Sequence, residues 1–274
     1  GGAGGAGLGA RGGQASLESV VAAPMALGGG GGASFEGDGG RGGGRLRVVT
    51  PALLLDGRVT ARGDDGVAGA GGGAGGSVWI SANSSCKGSG ILSVAGGRGS
   101  RSADVWGGSG SGGRIALLCP ASSWPSTLRL AAYGGGHPTV SSSPNARGAF
   151  PSRSGELAGD FVSNDNFEAA SPGTALVALS TSNSSTYYLS VGGNACESNA
   201  TIVASTSIRK LGDANDLEEF AIDCPANVVL DAIPYPLRVR SLRSSGNATL
   251  SLSNASVLVL DANVIPTGLE LSSG

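Results

Sequence analysis

Side chains able to do chemistry are scarce in this chain. Its one histidine, His137, sits in Gly136-His137-Pro138. Nucleophilic catalysis through an imidazole needs a serine or cysteine beside it and an acid to orient it; a loop histidine against proline reads as solvated. Three carboxylates stand close in sequence, Asp56, Asp64 and Asp65. Clustered acids are the chemistry of glycosidic-bond cleavage, and the same oxygens suit calcium. Asp56-Gly57 and Asp64-Asp65-Gly66 are equally ordinary turn sequences, and no EF-hand loop or nonapeptide calcium repeat is present. The glycine run 69–76 lacks the Gly-Lys-Ser/Thr ending of a phosphate-cradling loop. No catalytic residue and no metal ligand is therefore assigned, and no cofactor is expected.

Recognition chemistry is better supplied. Arg62-Gly63-Asp64 spells an integrin-type motif. Trp79 falls on the strand face opposite Val78 and Ile80, where it either stacks on sugar or is covered by a neighbouring element. Trp106 and Trp124 fall in loops and are further candidates for glycan contact. Four cysteines are present, Cys86, Cys119, Cys196 and Cys224. None forms a Cys-x-x-Cys pair, which leaves little for zinc. Position in the repeat described below pairs Cys86 with Cys119 across adjacent units and Cys196 with Cys224 around an excursion; buried free thiols are the alternative. Asn-x-Ser/Thr sequons start at Asn83, Asn183, Asn199, Asn247 and Asn254, all in expected turns where a glycan projects. Disulfides and glycans together predict an extracellular or cell-surface glycoprotein.

Glycine dominates the elements that must carry these residues. It makes up 51 of 274 residues, about 19% against roughly 7% in ordinary proteins. Charged residues are 14%, aromatics 4% and the net charge is −2. Collagen needs glycine at every third place, and the spacing here is irregular. A disordered tail needs low hydrophobicity and high net charge. A nucleic-acid partner calls for a basic balance, against a pI of 5.4. No apolar run approaches the roughly 20 residues of a membrane span. Glycine-rich faces also pack as polyglycine-II bundles, although runs this irregular argue against an ice-binding face.

The glycine is not spread evenly: 41 of the 51 precede residue 137. It punctuates a repeat. Gly43-Gly44-Arg45-Leu46-Arg47-Val48, Gly75-Gly76-Ser77-Val78-Trp79-Ile80 and Gly112-Gly113-Arg114-Ile115-Ala116-Leu117 open three units. A second alternating run follows each, at Arg58–Arg62, Ile91–Val94 and Leu128–Ala131, and then glycine returns at Gly63, Gly96 and Gly134. Alternation with period two and the Val, Ile, Leu and Thr content predict strands. A unit this small buries its apolar face only by stacking on copies of itself. The fold expected is all-β, a right-handed parallel β-helix or β-solenoid with glycine-rich turns, with a β-sandwich of hairpins as the alternative.

Three regions follow. Residues 1–136 are the glycine-rich repeats, and residues 137–172 a Ser/Pro-rich excursion. Residues 173–274 continue the strands, with a loop insertion near 193–232. Thr174–Leu179 and Tyr187–Val191 pair; Leu237–Leu242, Ala248–Ser253 and Val257–Leu260 form a later series; Asp213–Ala221 reads as one short helix or turn. The chain begins at Gly1 without methionine or signal peptide and reads as a piece of a longer repeat protein.

The Gly-Gly-[Arg/Ser]-apolar-x-apolar openings, Ser19–Pro24 ahead of Gly28–Gly32, and Ala132–Gly136 resemble the glycine-rich β-helix repeats of secreted and cell-surface proteins, a group similar to pectin-lyase-like solenoids. The resemblance covers residues 1–136 and, loosely, 172–191. It implies a non-enzymatic structural or adhesive segment of a larger surface, matrix or filament protein. Its partners would be neighbouring copies or flanking repeats and cell-surface or matrix glycans, with no nucleic acid and no membrane span in this segment. The competing expectation is a β-helix that binds or cleaves polysaccharide.

Overall fold

Runs of alternating apolar residues become strands, and the glycine runs between them form a second kind of order. The computed structural model describes residues 4–5, 7, 11–14, 20–102, 105–123, 127–135, 170, 172–192, 204–209, 211–223, 226–244, 248–254, 256–260 and 269–273. The described residues are all-β and contain no helix. The excursion at 137–172 lies almost entirely outside them.

Each of the first three repeat units supplies one long strand and one short strand. These are β1 (Arg45–Leu54) with β2 (Arg58–Thr60), β3 (Ser77–Lys87) with β4 (Ile91–Ser93), and β7 (Arg114–Pro120) with β8 (Arg129–Ala131). A small antiparallel ribbon, β5 (Arg101–Ser102) and β6 (Val105–Trp106), branches off between the last two. Long strands pair with long and short with short, all parallel. The register follows the repeat: Arg45 lies beside Ser77, Ser77 beside Arg114, and Arg114 beside Thr174 of β9 (Thr174–Ser180). One residue per opening thus forms a column. The next column turns inward through Leu46, Val78, Ile115 and Ala175. Val78 and Ile115 are fully buried, against Leu92, Val94 and Leu130 of the short-strand layer.

At β9 the chain departs from this pattern. Strand β10 (Ser185–Val191) returns antiparallel to β9 through a turn at 181–184. A connection of that length cannot make a parallel crossover, which takes a dozen residues or more. The expected pair is therefore a hairpin. Six of the seven β9 residues are buried, because its two faces serve two cores. Ala175, Val177 and Leu179 face the first core. Leu176, with Leu189 and Val191 of β10, faces a second.

That second core lies between the continuation of the large sheet and a four-stranded sheet. The former adds β12 (Asp216–Ile222), β14 (Leu237–Ser244) and β16 (Leu258–Leu260). The latter is β11 (Ala204–Ile208), β13 (Ala226–Asp231), β15 (Ala248–Ser253) and β17 (Leu269–Ser273). All of these pair parallel. Phe220, Leu217, Leu230 and Val239 fill the space between the two sheets. The large sheet thus runs through eight strands, mainly parallel, and its core changes face at the β9–β10 hairpin.

Asp213–Ala221 is not a helix; most of it is strand β12. The register between β10 and β12 slips between Tyr187 and Tyr188, so Glu218 is an extra, bulged residue. Leu217 and Phe220 then both face the core, three residues apart, which imitates helical spacing. The region 193–232 also carries β11, β12 and β13 rather than an insertion alone.

The glycine runs are organised by backbone hydrogen bonds in three directions. In the run 71–76, Gly71 donates to Gly32, Gly72 to Gly108 and Gly73 to Asp64. The cycle then repeats: Ala74 donates to Gly29, Gly75 to Ser111 and Gly76 to Ala61. Residues three apart therefore address the same neighbouring segment, as three residues per turn in a polyproline II-type helix require. The same run accepts from Gly40, Gly5, Gly97 and Gly43, on three further segments. It is surrounded on six sides and buried throughout. Positive φ is found at Gly69, Gly88, Gly192 and Gly212 but not within 71–76. Glycine is needed there for its missing side chain. A Cβ on Gly73 would fall on the carbonyl of Arg41, and one on Gly75 on that of Val94, both closer than 3.0 Å.

Gly73→Ala is expected to destabilise the fold by about 1–3 kcal/mol or more, because fixed backbone cannot yield. Gly44→Ala, where a Cβ meets nothing within 4 Å, is expected to be neutral or stabilising by up to about 1 kcal/mol. Urea denaturation of the two variants beside the parent checks the contrast.

Candidate functional site

The candidate catalytic acids Asp56 and Asp65 bind main-chain N–H groups. Asp56 accepts from Ser89 N at 3.0 Å, and Asp65 accepts from Arg98 N at 2.8 Å. Both bonds span 33 residues and so tie one repeat unit to the next. Asp65 also receives Arg62 Nη2 at 3.1 Å. The carboxylates of Asp56 and Asp65 are thus spent on cross-links between turns. Among the described residues no three His, Cys, Asp or Glu side chains gather as a metal site. His137 lies outside them.

Arg62-Gly63-Asp64 runs inside the glycine lattice rather than on a projecting loop. Gly63 N donates to Ala95 O and Asp64 N to Arg41 O, while Asp64 O accepts from Gly73 N. Gly63 is buried, Arg62 half-buried and Asp64 exposed.

Trp79 stands on the outer face of the large sheet, half-exposed, with the Arg47 guanidinium 4.8 Å from its ring centroid. This pair joins two repeat units directly, since Arg47 and Trp79 share one register column. Such a stack contributes about 0.5–1 kcal/mol at an exposed site. Beside it, Arg45 Nη1 donates to Met25 O and Ser77 Oγ to Ala26 O, so the 20–26 segment crosses the same face. Its Val21 reaches the second core. Trp106 belongs to the β5–β6 ribbon; its side chain, and Trp124, lie outside the described residues.

Two charged clusters in the second half carry no signal in the sequence. Asp231 receives Arg209 Nε at 2.6 Å, Ser253 Oγ at 3.0 Å and Asn254 Nδ2 at 2.5 Å. Arg209, Asp231 and Ser253 recur every 22 residues, so the cluster climbs one corner of the stack. The bonds from Asn254 and Ser253, with that from Arg209, hold the Asp231 carboxyl below its ordinary range. On the opposite face Asp223, 5% exposed, receives Arg243 Nη1 at 2.6 Å and Ser190 Oγ at 2.5 Å. Arg243 also reaches Glu219 at 3.1 Å. Burial, with Glu218 and Glu219 nearby, pushes the Tyr188 hydroxyl above its usual range.

Cys86 and Cys119 form a disulfide, with Cα atoms 5.7 Å apart, and both are buried. It joins the second repeat unit to the third. Cys196 and Cys224 lie outside the described residues. Of the sequon asparagines, Asn183 is exposed in the β9–β10 turn and Asn254 is exposed at a φ of 51°. Asn83 is also exposed, but in β3 beside the register slip with β1 and not in a turn. Asn199 and Asn247 lie outside the described residues. No family model, curated protein or solved structure matches the chain.

Reduction of the Cys86–Cys119 bond, which spans 33 residues, is expected to cost about 3–4 kcal/mol by loop entropy; thermal melts with and without reductant check this. The lowered Asp231 pKa adds stability that is complete above the ordinary carboxylate range and is lost as pH falls through the lowered value. Asp231→Asn is expected to lower the urea midpoint at neutral pH and to remove that part of its acid dependence. A pH series of unfolding curves for both proteins measures it.

Proposed function

We propose that the chain is a non-enzymatic, extracellular structural or adhesive segment, built as a right-handed parallel β-solenoid and belonging to a larger surface, matrix or filament assembly. The observation that carries this reading is the three-way hydrogen bonding of the glycine runs. It commits a large share of the chain to rigid backbone without side chains, which serves shape and not chemistry. The right hand follows from the strong preference of parallel strand crossovers. The use of Asp56 and Asp65 as cross-links between turns speaks in the same direction. A disulfide and exposed sequon asparagines at positions 83, 183 and 254 fit an oxidising, glycosylating compartment. Neighbouring copies, flanking repeats and surface glycans are the partners this reading names.

One observation favours the second reading, a carbohydrate-binding or carbohydrate-cleaving β-helix. The half-exposed Arg47–Trp79 stack offers an aromatic ring and a guanidinium side by side, a pairing suited to an acidic sugar. A glycan array and a depolymerisation assay on a polysaccharide panel separate the two readings. The structural reading expects no depolymerisation and at most weak glycan retention, removed by Trp79→Ala. Depolymerisation abolished by Asp56→Ala would overturn it.

A further inference from the structure

Among the described residues, the first repeat unit leaves one side of its stack unfilled. Val78 and Ile80 of the second unit are at most 1% exposed. Their column neighbours Leu46 and Val48 in β1 are only half-buried, as are Leu53 and Val59. Val49 and Leu54 are 70% and 74% exposed. Among the described residues β1 pairs with β3 alone, which leaves the other edge of a 10-residue strand open.

Two glycines make this end more than an exposed edge. A Cβ on Gly76 would fall on Gly44 O, one on Gly113 on Gly76 O, and one on Gly173 on Gly113 O. In this column every glycine is required by the carbonyl of the unit before it. Gly44 heads the column, and a Cβ there meets nothing within 4 Å. At the other end of β1 the same holds: a Cβ on Gly90 would fall on Gly57 O, while Gly57 has open space. Both ends of β1 therefore keep room for an approaching backbone that the described residues do not supply.

We propose that this open side docks a second copy of the chain head to head, β1 pairing antiparallel with β1 across a twofold axis near Val49 and Thr50. The proposal rests on the reading of the chain as a structural segment that associates through its backbone. The edge matches itself best. The large sheet ends at its other edge in β16, and the edge strands of the two smaller parallel sheets are β2, β8, β11 and β17; these have 3, 3, 3, 5 and 5 residues, so none offers a partner of β1's length. Size agrees. A strand of that length spans about 34 Å, and two sheets with their core make the end roughly 20 Å deep. The footprint of about 700 Å² is near the ~800 Å² per partner of a stable interface. Because the contact is isologous, it uses both edges and closes at two copies. Pro51, which has no N–H to give, shortens the shared ladder and limits adventitious pairing along the same edge.

The test uses the full chain. Sedimentation velocity across a micromolar series is expected to show a monomer–dimer equilibrium. Gly44→Val is expected to keep the melting temperature and weaken the dimer about tenfold or more; Val49→Lys, also at an open position, provides an independent variant. Under mild oxidation Val49→Cys is expected to cross-link to itself. Arg45→Cys alone is not, but is expected to cross-link when mixed with Leu54→Cys. A monomer at every concentration overturns the proposal, as does a dimer indifferent to both Gly44→Val and Val49→Lys, or self-cross-linking at position 45. A monomer without polysaccharide-cleaving activity would remove the dimer and leave the structural reading intact. A cleaving chain would remove that reading, with the cross-links still scored on their own.

Discussion

The structure depends on how closely two backbones approach when neither carries a side chain. In the run 71–76 every N–H finds a carbonyl on one of three neighbouring segments. That arrangement exists only because a Cβ at positions such as Gly73 or Gly75 would coincide with backbone atoms of the next segment. A β-sheet satisfies its backbone in one plane. Here the plane is replaced by a bundle, and burial of polar backbone stays satisfied because each donor has its own direction. The strands β1, β3 and β7 leave this bundle already in register. The apolar columns of the first core follow from the spacing of the bundle as much as from the strands' own pattern.

The second half solves the same problem by different means. Its glycines are few, and its successive layers are joined by side chains, through Arg209–Asp231–Ser253 at one corner and Arg243 with Asp223 and Glu219 on a face. The repeat there is shorter, with Asp216, Arg238 and Val259 in one column. The β9–β10 hairpin is the joint between the two regimes. It reverses the chain once, so that the core passes from one face of the large sheet to the other while the sheet itself remains continuous.

What the sequence made legible was whatever repeats in residue type. The openings at Arg45, Ser77 and Arg114, and the resumption at Thr174, are one register column. Cys86 and Cys119 sit close enough in successive units to bond. Features without a repeating type were hidden. Arg209, Asp231 and Ser253 share a corner but not a chemistry. The bulge at Glu218 moved Phe220 into the core and disguised a strand as a helix. The three-way bonding of glycine leaves no trace in side chains, because it consists of their absence. The acids were visible, but their partners were main-chain N–H groups of the next unit, which no sequence pattern displays.

The glycine bundle also has a mechanical character. A sheet is strong along its strands and in its plane but parts easily where one layer slides over another. Segments bonded to neighbours on six sides have no such slip plane. A force applied from any lateral direction is divided among several hydrogen bonds at once, and little side-chain packing needs to be rearranged before they resist. The bundle around residues 71–76 should resist shear about equally in every transverse direction. The second half, held by side-chain clusters at particular corners, should yield first where Arg209 and Arg243 let go.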